Sequence, residues 1–206
     1  MAKGTSSDLY GSAPDKSGAA LLVIDVINDL DFPQGDQLLR FALPMARHIA
    51  RLKERARRAA IPCVYVNDNF GRWQSNFATL IEHCLSDGVR GEEVARLLLP
   101  GEDDYFVLKP KHSGFYSTTL EVLLESLGAK NLILTGMAAN ICVLFTANDA
   151  YMRDYRLFIP VDCVASNTQR DNKFALGLME KTLKADIRPS TRLQLSRLNK
   201  KTRRAT

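Results

Sequence analysis

The sequence carries four cysteines, Cys63, Cys84, Cys142 and Cys163, yet no C-x-x-C pair. Histidines number only three, and no Cys/His cluster has zinc spacing, so a structural zinc module is excluded as a reading. No apolar run approaches the roughly 20 residues of a membrane-spanning helix. The N-terminus lacks the basic-then-apolar order of a signal peptide. The expected compartment is therefore the cytoplasm, where four free thiols are expected. No G-x-G-x-x-G follows the first apolar strand and no Walker sequence occurs, so nucleotide binding has no motif behind it. Internal repeats are absent. Net charge is +5, but Lys200, Lys201, Arg203 and Arg204 lie in the last seven residues, and without them it is +1. The basicity belongs mainly to a tail, which argues against a nucleic-acid-binding face on the folded body.

What is present fits one large domain. The chain has 206 residues, 46% hydrophobic and 25% charged, enough for a sizeable single core. Residues 1–18 are rich in Gly, Ser, Ala, Asp and Lys and read as a mobile arm. The folded domain is expected over 19–198, with the basic tail over 199–206. Apolar runs predict strands at 19–26, 61–67, 105–108, 131–135 and 157–161, and a short sixth at 185–188. Pro44 is expected as the first residue of a helix whose inward stripe is Met45, Ile49, Leu52, Ala56 and Ala59. Further helices are expected over 75–85, 92–98, 120–127 and 174–183, and Ser190 caps a last short one. Strands alternating with helices predict a three-layer α/β/α fold on a mainly parallel sheet of about six strands.

The stretch 131–150, NLILTGMAANICVLFTANDA, organises this reading. A short buried strand leads into the small residues Gly136, Ala138 and Ala139, then into a helix with Asn140 as its expected N-cap. Cys142 falls in the first helical turn, at the carboxyl end of a strand, where ligands bind in open α/β sheets. Free N–H groups and the positive end of the helix favour a thiolate there and stabilise an oxyanion. A small buried hydrophobe is the alternative reading of Cys142. Asp25 ends the first strand, as a turn cap or a catalytic carboxylate, and Lys109 ends the third. The parallel sheet brings these strand ends to one edge, so Asp25, Lys109 and Cys142 can converge. A carboxylate can take the thiol's proton, and a lysine ammonium favours both anions. Asp25 opposes the thiolate charge unless it takes the proton itself, so the pair is expected to titrate as one coupled unit. His112 reads either as a general base or as an exposed loop residue. Asn69, Trp73 and Phe115 are candidate pocket residues around the long excursion 68–104.

The segments LLVIDVINDL (21–30), IPCVYVNDNFGRW (61–73), LKPKHSGFYSTTLEVLLESLG (108–128) and the 132–166 stretch resemble the isochorismatase-like cysteine hydrolases. That group includes nicotinamidases, N-carbamoylsarcosine amidases and ureidoacrylate-type amidohydrolases. The resemblance implies a Rossmann-like fold and a homo-oligomer, dimer or tetramer. It makes Asp25 the general base, Lys109 the family's lysine and Cys142 the nucleophile. It also implies a cis peptide at Met137–Ala138, and an oxyanion hole from the N–H groups of Ala138 and Cys142. Two departures stand out. Ile27 occupies a position that is Gln in many members. Asp68 is followed by Asn69 and Phe70, without the histidines of metal-binding nicotinamidases. The implied activity is a metal-independent, cofactor-free cysteine hydrolase acting on a small amide or carbamoyl compound through a thioester. A non-catalytic binding or assembly module on the same fold, and a vinyl ether hydrolase of isochorismatase type, are the alternatives. A small-molecule substrate is the expected partner, with neither nucleic acid nor membrane.

Overall fold

The computed structural model describes residues 16–69, 76–86 and 88–200. Among these residues, six parallel strands form one sheet: β1 (Ala19–Ile24), β2 (Cys63–Asp68), β3 (Tyr105–Lys109), β4 (Asn131–Met137), β5 (Arg156–Phe158) and β6 (Val164–Ala165). The order is β3-β2-β1-β4-β5, with β6 pairing β4 beyond the end of β5. The chain steps from β1 out through β2 to β3, then returns to the other side of β1 for β4. The order therefore reverses between β1 and β4, and a crevice opens at their carboxyl ends.

Strand periodicity divides the core in two. Ala19, Leu21 and Val23 face one apolar layer, while Ala20, Leu22 and Ile24 face the other. The first layer is closed by α1 (Gly35–Arg58), α2 (Phe77–Ser86), α3 (Glu92–Leu97) and the short α7 (Leu195–Leu198). The second is closed by α4 (Leu120–Leu127), α5 (Leu144–Tyr151) and α6 (Gln169–Leu183). A strand covered on both faces needs apolar residues at successive positions, which is why all six residues of β1 are buried and apolar.

Four local expectations are corrected. Helix α1 begins at Gly35, so Pro44 lies inside it. Leu38 and Ala42 extend the inward stripe a further two turns, and their burial outweighs the one lost proline N–H. The sixth strand is Val164–Ala165; in 185–188 only Asp186 pairs, through a single bridge to Phe158. Asn140 is not a cap. Ala138 holds the extended conformation before the turn, and Asn140 lies within it. Ser190 begins an isolated 3₁₀ turn and is held by Asp162, which accepts from both its N–H and its hydroxyl at 2.7 Å. Most of the expected arm and tail falls outside the described residues. Ser17 N–H donates to Leu127 O at 2.9 Å, and Asn131 Nδ2 donates to Leu198 O at 2.8 Å. Among the described residues, no helix is long and apolar enough to cross a membrane.

Candidate active site

Asp25 follows the last residue of β1 and adopts the left-handed region, with φ 51°. Its N–H donates to Val66 O at 3.0 Å, and its Oδ1 accepts the N–H of Asp68 at 2.7 Å. The backbone of β2 thus fixes the residue at both ends. Lys109 closes β3, and the parallel register sets it beside Asp68. It is fully buried, with Nζ 2.9 Å from Asp25 Oδ2, 3.3 Å from Asp68 Oδ2 and 3.5 Å from Cys142 Sγ. An ammonium has three hydrogens, and here each meets an acceptor. Two carboxylates are what allow a lysine to stay charged without water.

Cys142 belongs to a single π-helical turn, Ala139–Val143, that joins β4 to α5. Its wider i→i+5 bond runs from Val143 N–H to Ala138 O at 3.2 Å. Gly136 makes the approach possible. Its φ is 111°, and a Cβ there would lie 2.0 Å from Ile24 O. Only glycine lets β4 run this close to β1 at the point where Asp25 and Cys142 converge. The Met137–Ala138 peptide is cis.

The charges pull in definite directions. Burial raises the Asp25 carboxyl above its ordinary value, against the opposing pull of Lys109 and of the hydrogen bond from Cys142. Burial first, and the facing Asp25 second, push the Cys142 thiol well up; Lys109 pulls it down without prevailing. For Lys109, burial acts downward, but Asp25, Cys142 and Asp68 together raise it. Burial and Asp25 thus favour the protonated sulfur. Lys109 does favour the thiolate and Asp25 does oppose it, as expected; the added cost is desolvation, which together with the carboxylate outweighs the lysine. Each group's direction depends on the other two.

Other candidates are placed as follows. Asn69 is buried at the same edge, and its N–H donates to Lys109 O at 3.1 Å. Phe115, expected in the pocket, is packed in the second apolar layer. Its ring meets Tyr155 at 6.0 Å between centroids and has Arg153 over it at 4.9 Å. The turn after β3 carries Phe115 inward to cover that layer. Trp73 lies outside the described residues. Ile27 is buried in the first layer, and its carbonyl accepts from Asn67 Nδ2 at 2.6 Å. His112 is exposed, yet its Nδ1 is 4.0 Å from Cys142 Sγ.

Two contributors escaped the sequence reading. Asp68 is the second carboxylate on Lys109, and only the register of β2 with β3 reveals it. Thr146 is buried and ties the site together: its hydroxyl donates to Cys142 O at 2.7 Å and accepts Gly114 N–H at 3.0 Å. Among the described residues, nothing forms a ligand set for a metal of the nicotinamidase kind. Asp68 is engaged by Lys109, Asn69 follows it, and His83 lies 3.2 Å from Asp29. Among the described residues, no three His, Cys, Asp or Glu side chains gather as metal ligands.

Fold and site together define an α/β protein with a carboxylate, a lysine and a cysteine at the reversal point of a parallel sheet. A family model described as the Isochorismatase domain matches residues 19–187. The chain belongs to the isochorismatase family of hydrolases. It is 45% identical over 172 residues to the uncharacterized isochorismatase family protein YaaI of Bacillus subtilis, covering 84% of this chain and 94% of that protein. It is 28% identical over 160 residues to nicotinamidase 3 of Arabidopsis thaliana, covering 74% of this chain and 76% of the relative. Among solved structures, the N-carbamoylsarcosine amidase of Thermoplasma acidophilum superposes with a TM-score of 0.66 at 28% identity, over 85% of this chain and 98% of that one.

Proposed function

We propose that this protein is a metal-independent cysteine hydrolase that cleaves a C–N bond of a small amide or carbamoyl compound. The observation that carries the reading is the single Lys109 ammonium, 2.9 Å from Asp25 Oδ2 and 3.5 Å from Cys142 Sγ. It holds a base and a nucleophile in one charge-balanced cluster at the sheet's ligand-binding edge. The raised Asp25 carboxyl is a stronger base than an exposed aspartate, and it hydrogen-bonds the thiol. Asp25 takes the thiol proton as sulfur attacks the carbonyl carbon. The Ala138 and Cys142 N–H groups receive the oxyanion. Asp25 then returns the proton to the leaving nitrogen, the C–N bond breaks, and a thioester forms on Cys142. Water hydrolyses the thioester and restores the thiol. The likeness to an amidase and a nicotinamidase supports a nitrogen leaving group.

The test is ammonia release from a panel of small primary amides and carbamoyl compounds, by wild type and by Cys142→Ser. Release by wild type, with at least about 10³-fold loss in the variant, is the expected result. A variant of undiminished activity overturns the assignment of the nucleophile.

A further inference from the structure

Three polar groups meet the Cys142 sulfur among the described residues. Lys109 and Asp25 lie beneath it and are 0% and 5% exposed. The third, His112, is exposed, with Nδ1 at 4.0 Å. Its neighbours in the chain are not free. Ser113, Gly114 and Phe115 are buried. The Ser113 hydroxyl donates to Asp149 Oδ2, and Gly114 N–H donates to Thr146 Oγ1 at 3.0 Å. Asp149 and Thr146 both belong to α5, the helix that continues from the Cys142 turn. The imidazole itself leans on Phe145 of the same helix, at 5.4 Å between ring centroids. The loop that carries His112 is therefore bolted to the element that carries the nucleophile, and the exposed imidazole comes within 4.0 Å of the sulfur.

Thioester formation and thioester hydrolysis need bases in different places. The thiol proton is best taken from below, by Asp25. The hydrolytic water arrives from solvent, and its proton is best taken where it enters. We propose that His112 is a further catalytic residue, the general base of thioester hydrolysis, while Asp25 serves thioester formation. This assignment rests on the cysteine-nucleophile reading above. In the step, neutral His112 accepts one proton from water as the hydroxyl oxygen bonds to the acyl carbon. The tetrahedral centre then collapses, the C–S bond breaks with its electron pair going to sulfur, and the imidazolium returns the proton to that sulfur. Acid and free thiol are the products, and no other reactant is consumed. The 4.0 Å separation is within reach of this return, directly or through one water.

The experiment uses p-nitrophenyl acetate, which acylates a reactive thiol and reports it by colour. Wild type, His112→Gln and His112→Ala are compared by stopped-flow, and acetyl-Cys142 is followed by intact-mass and peptide mass spectrometry. The expected result is an acylation rate within about threefold of wild type in both variants, with hydrolysis of the acetyl-enzyme slowed about 10²-fold. A stoichiometric nitrophenolate burst and accumulating acetyl-Cys142 follow. Free imidazole then speeds decay of the isolated acetyl-enzyme of His112→Ala more than that of wild type, an effect that a merely structural role of His112 does not produce. Variants that slow both steps equally, or neither, overturn the role of His112 and leave the nucleophile in place. Failure of wild type and of both variants alike to release nitrophenolate or to acquire an acetyl group on Cys142 overturns the cysteine reading itself, and this inference with it.

Discussion

An aspartate, a lysine and a cysteine gather at each of the two edges of the sheet, and the two sets differ in what surrounds them. At the carboxyl edge stand Asp25, Lys109 and Cys142. At the amino edge Cys63 opens β2, Asp104 faces its thiol, and Lys53 lies 2.6 Å from Asp104 Oδ2. Burial pushes the Cys63 thiol up and Asp104 adds to it, while Lys53 pulls the other way, as at Cys142. A groove of about 1050 Å³ even lies against this second set, with Lys53, Cys63 and Asp104 in its wall. Composition and charge do not separate the two. Partners do. Lys53 spends its other hydrogens on Tyr65 OH and Leu99 O, both at 2.9 Å, so all three of its acceptors are fixed parts of the fold. The third acceptor of Lys109 is the sulfur of Cys142, the proposed nucleophile. Cys63 sits in a strand, whereas Cys142 sits in a turn that follows small residues at the reversal point of the sheet. On the proposed function, the edge and the turn, more than the residue set, separate the nucleophile from the packed thiol.

The largest difference between the two sets is expected on removing the thiols. Cys142→Ala should lower amide turnover by at least about 10³-fold, while Cys63→Ala stays within about twofold, as measured by ammonia release. Equal losses would erase the contrast. The lysines come next. Lys109→Met should cost about 10²-fold in kcat/KM and about 3–5 kcal/mol in urea melts, since it strands two carboxylates around a buried site. Lys53→Met should keep activity within about threefold and cost about 1–3 kcal/mol, through unmade hydrogen bonds to Tyr65 and Leu99.

The pH profile sharpens the comparison further. A protonated Asp25 cannot accept the thiol proton, so activity must fall as pH drops through the Asp25 value. That value is raised by burial, which places the acid limb above the ordinary carboxylate range, with about a tenfold fall in kcat/KM per pH unit below it. An acid limb at the value of an exposed aspartate would show that Asp25 is not the base. Two glycines give the last contrast. Gly136→Ala should cost more than about 3 kcal/mol and most of the activity, because its Cβ meets Ile24 O at 2.0 Å. Gly128→Ala, also at positive φ but with nothing within 4 Å, should cost only about 1–2 kcal/mol in the same melts and leave turnover intact.

Most of the fold was legible because a parallel sheet covered on both faces writes itself as apolar runs, such as 19–24 and 131–135. The start of α1 was not. Its first turn reads GDQLL directly after the loop-like NDLDFPQ, and Pro44 offers a more familiar starting signal than Gly35. Residues 164–165 form too short a pairing for periodicity to register. At the site, the meeting of Asp25, Lys109 and Cys142 followed from three strand ends on one edge. Their titration did not, because it depends on burial and on distances that spacing does not encode. Asp68 and His112 show the same limit: one joins Lys109 through strand register, the other reaches Cys142 through a loop anchored on α5.

The most direct measurement is the order in which the four thiols are alkylated. Cys63, Cys84 and Cys163 are buried, and Cys142 is partly exposed beside a base. With limiting iodoacetamide at neutral pH, followed by peptide mass spectrometry and ammonia release, Cys142 should be labelled first and activity lost in proportion. Labelling of Cys63, Cys84 or Cys163 ahead of Cys142, with activity intact, would contradict the account.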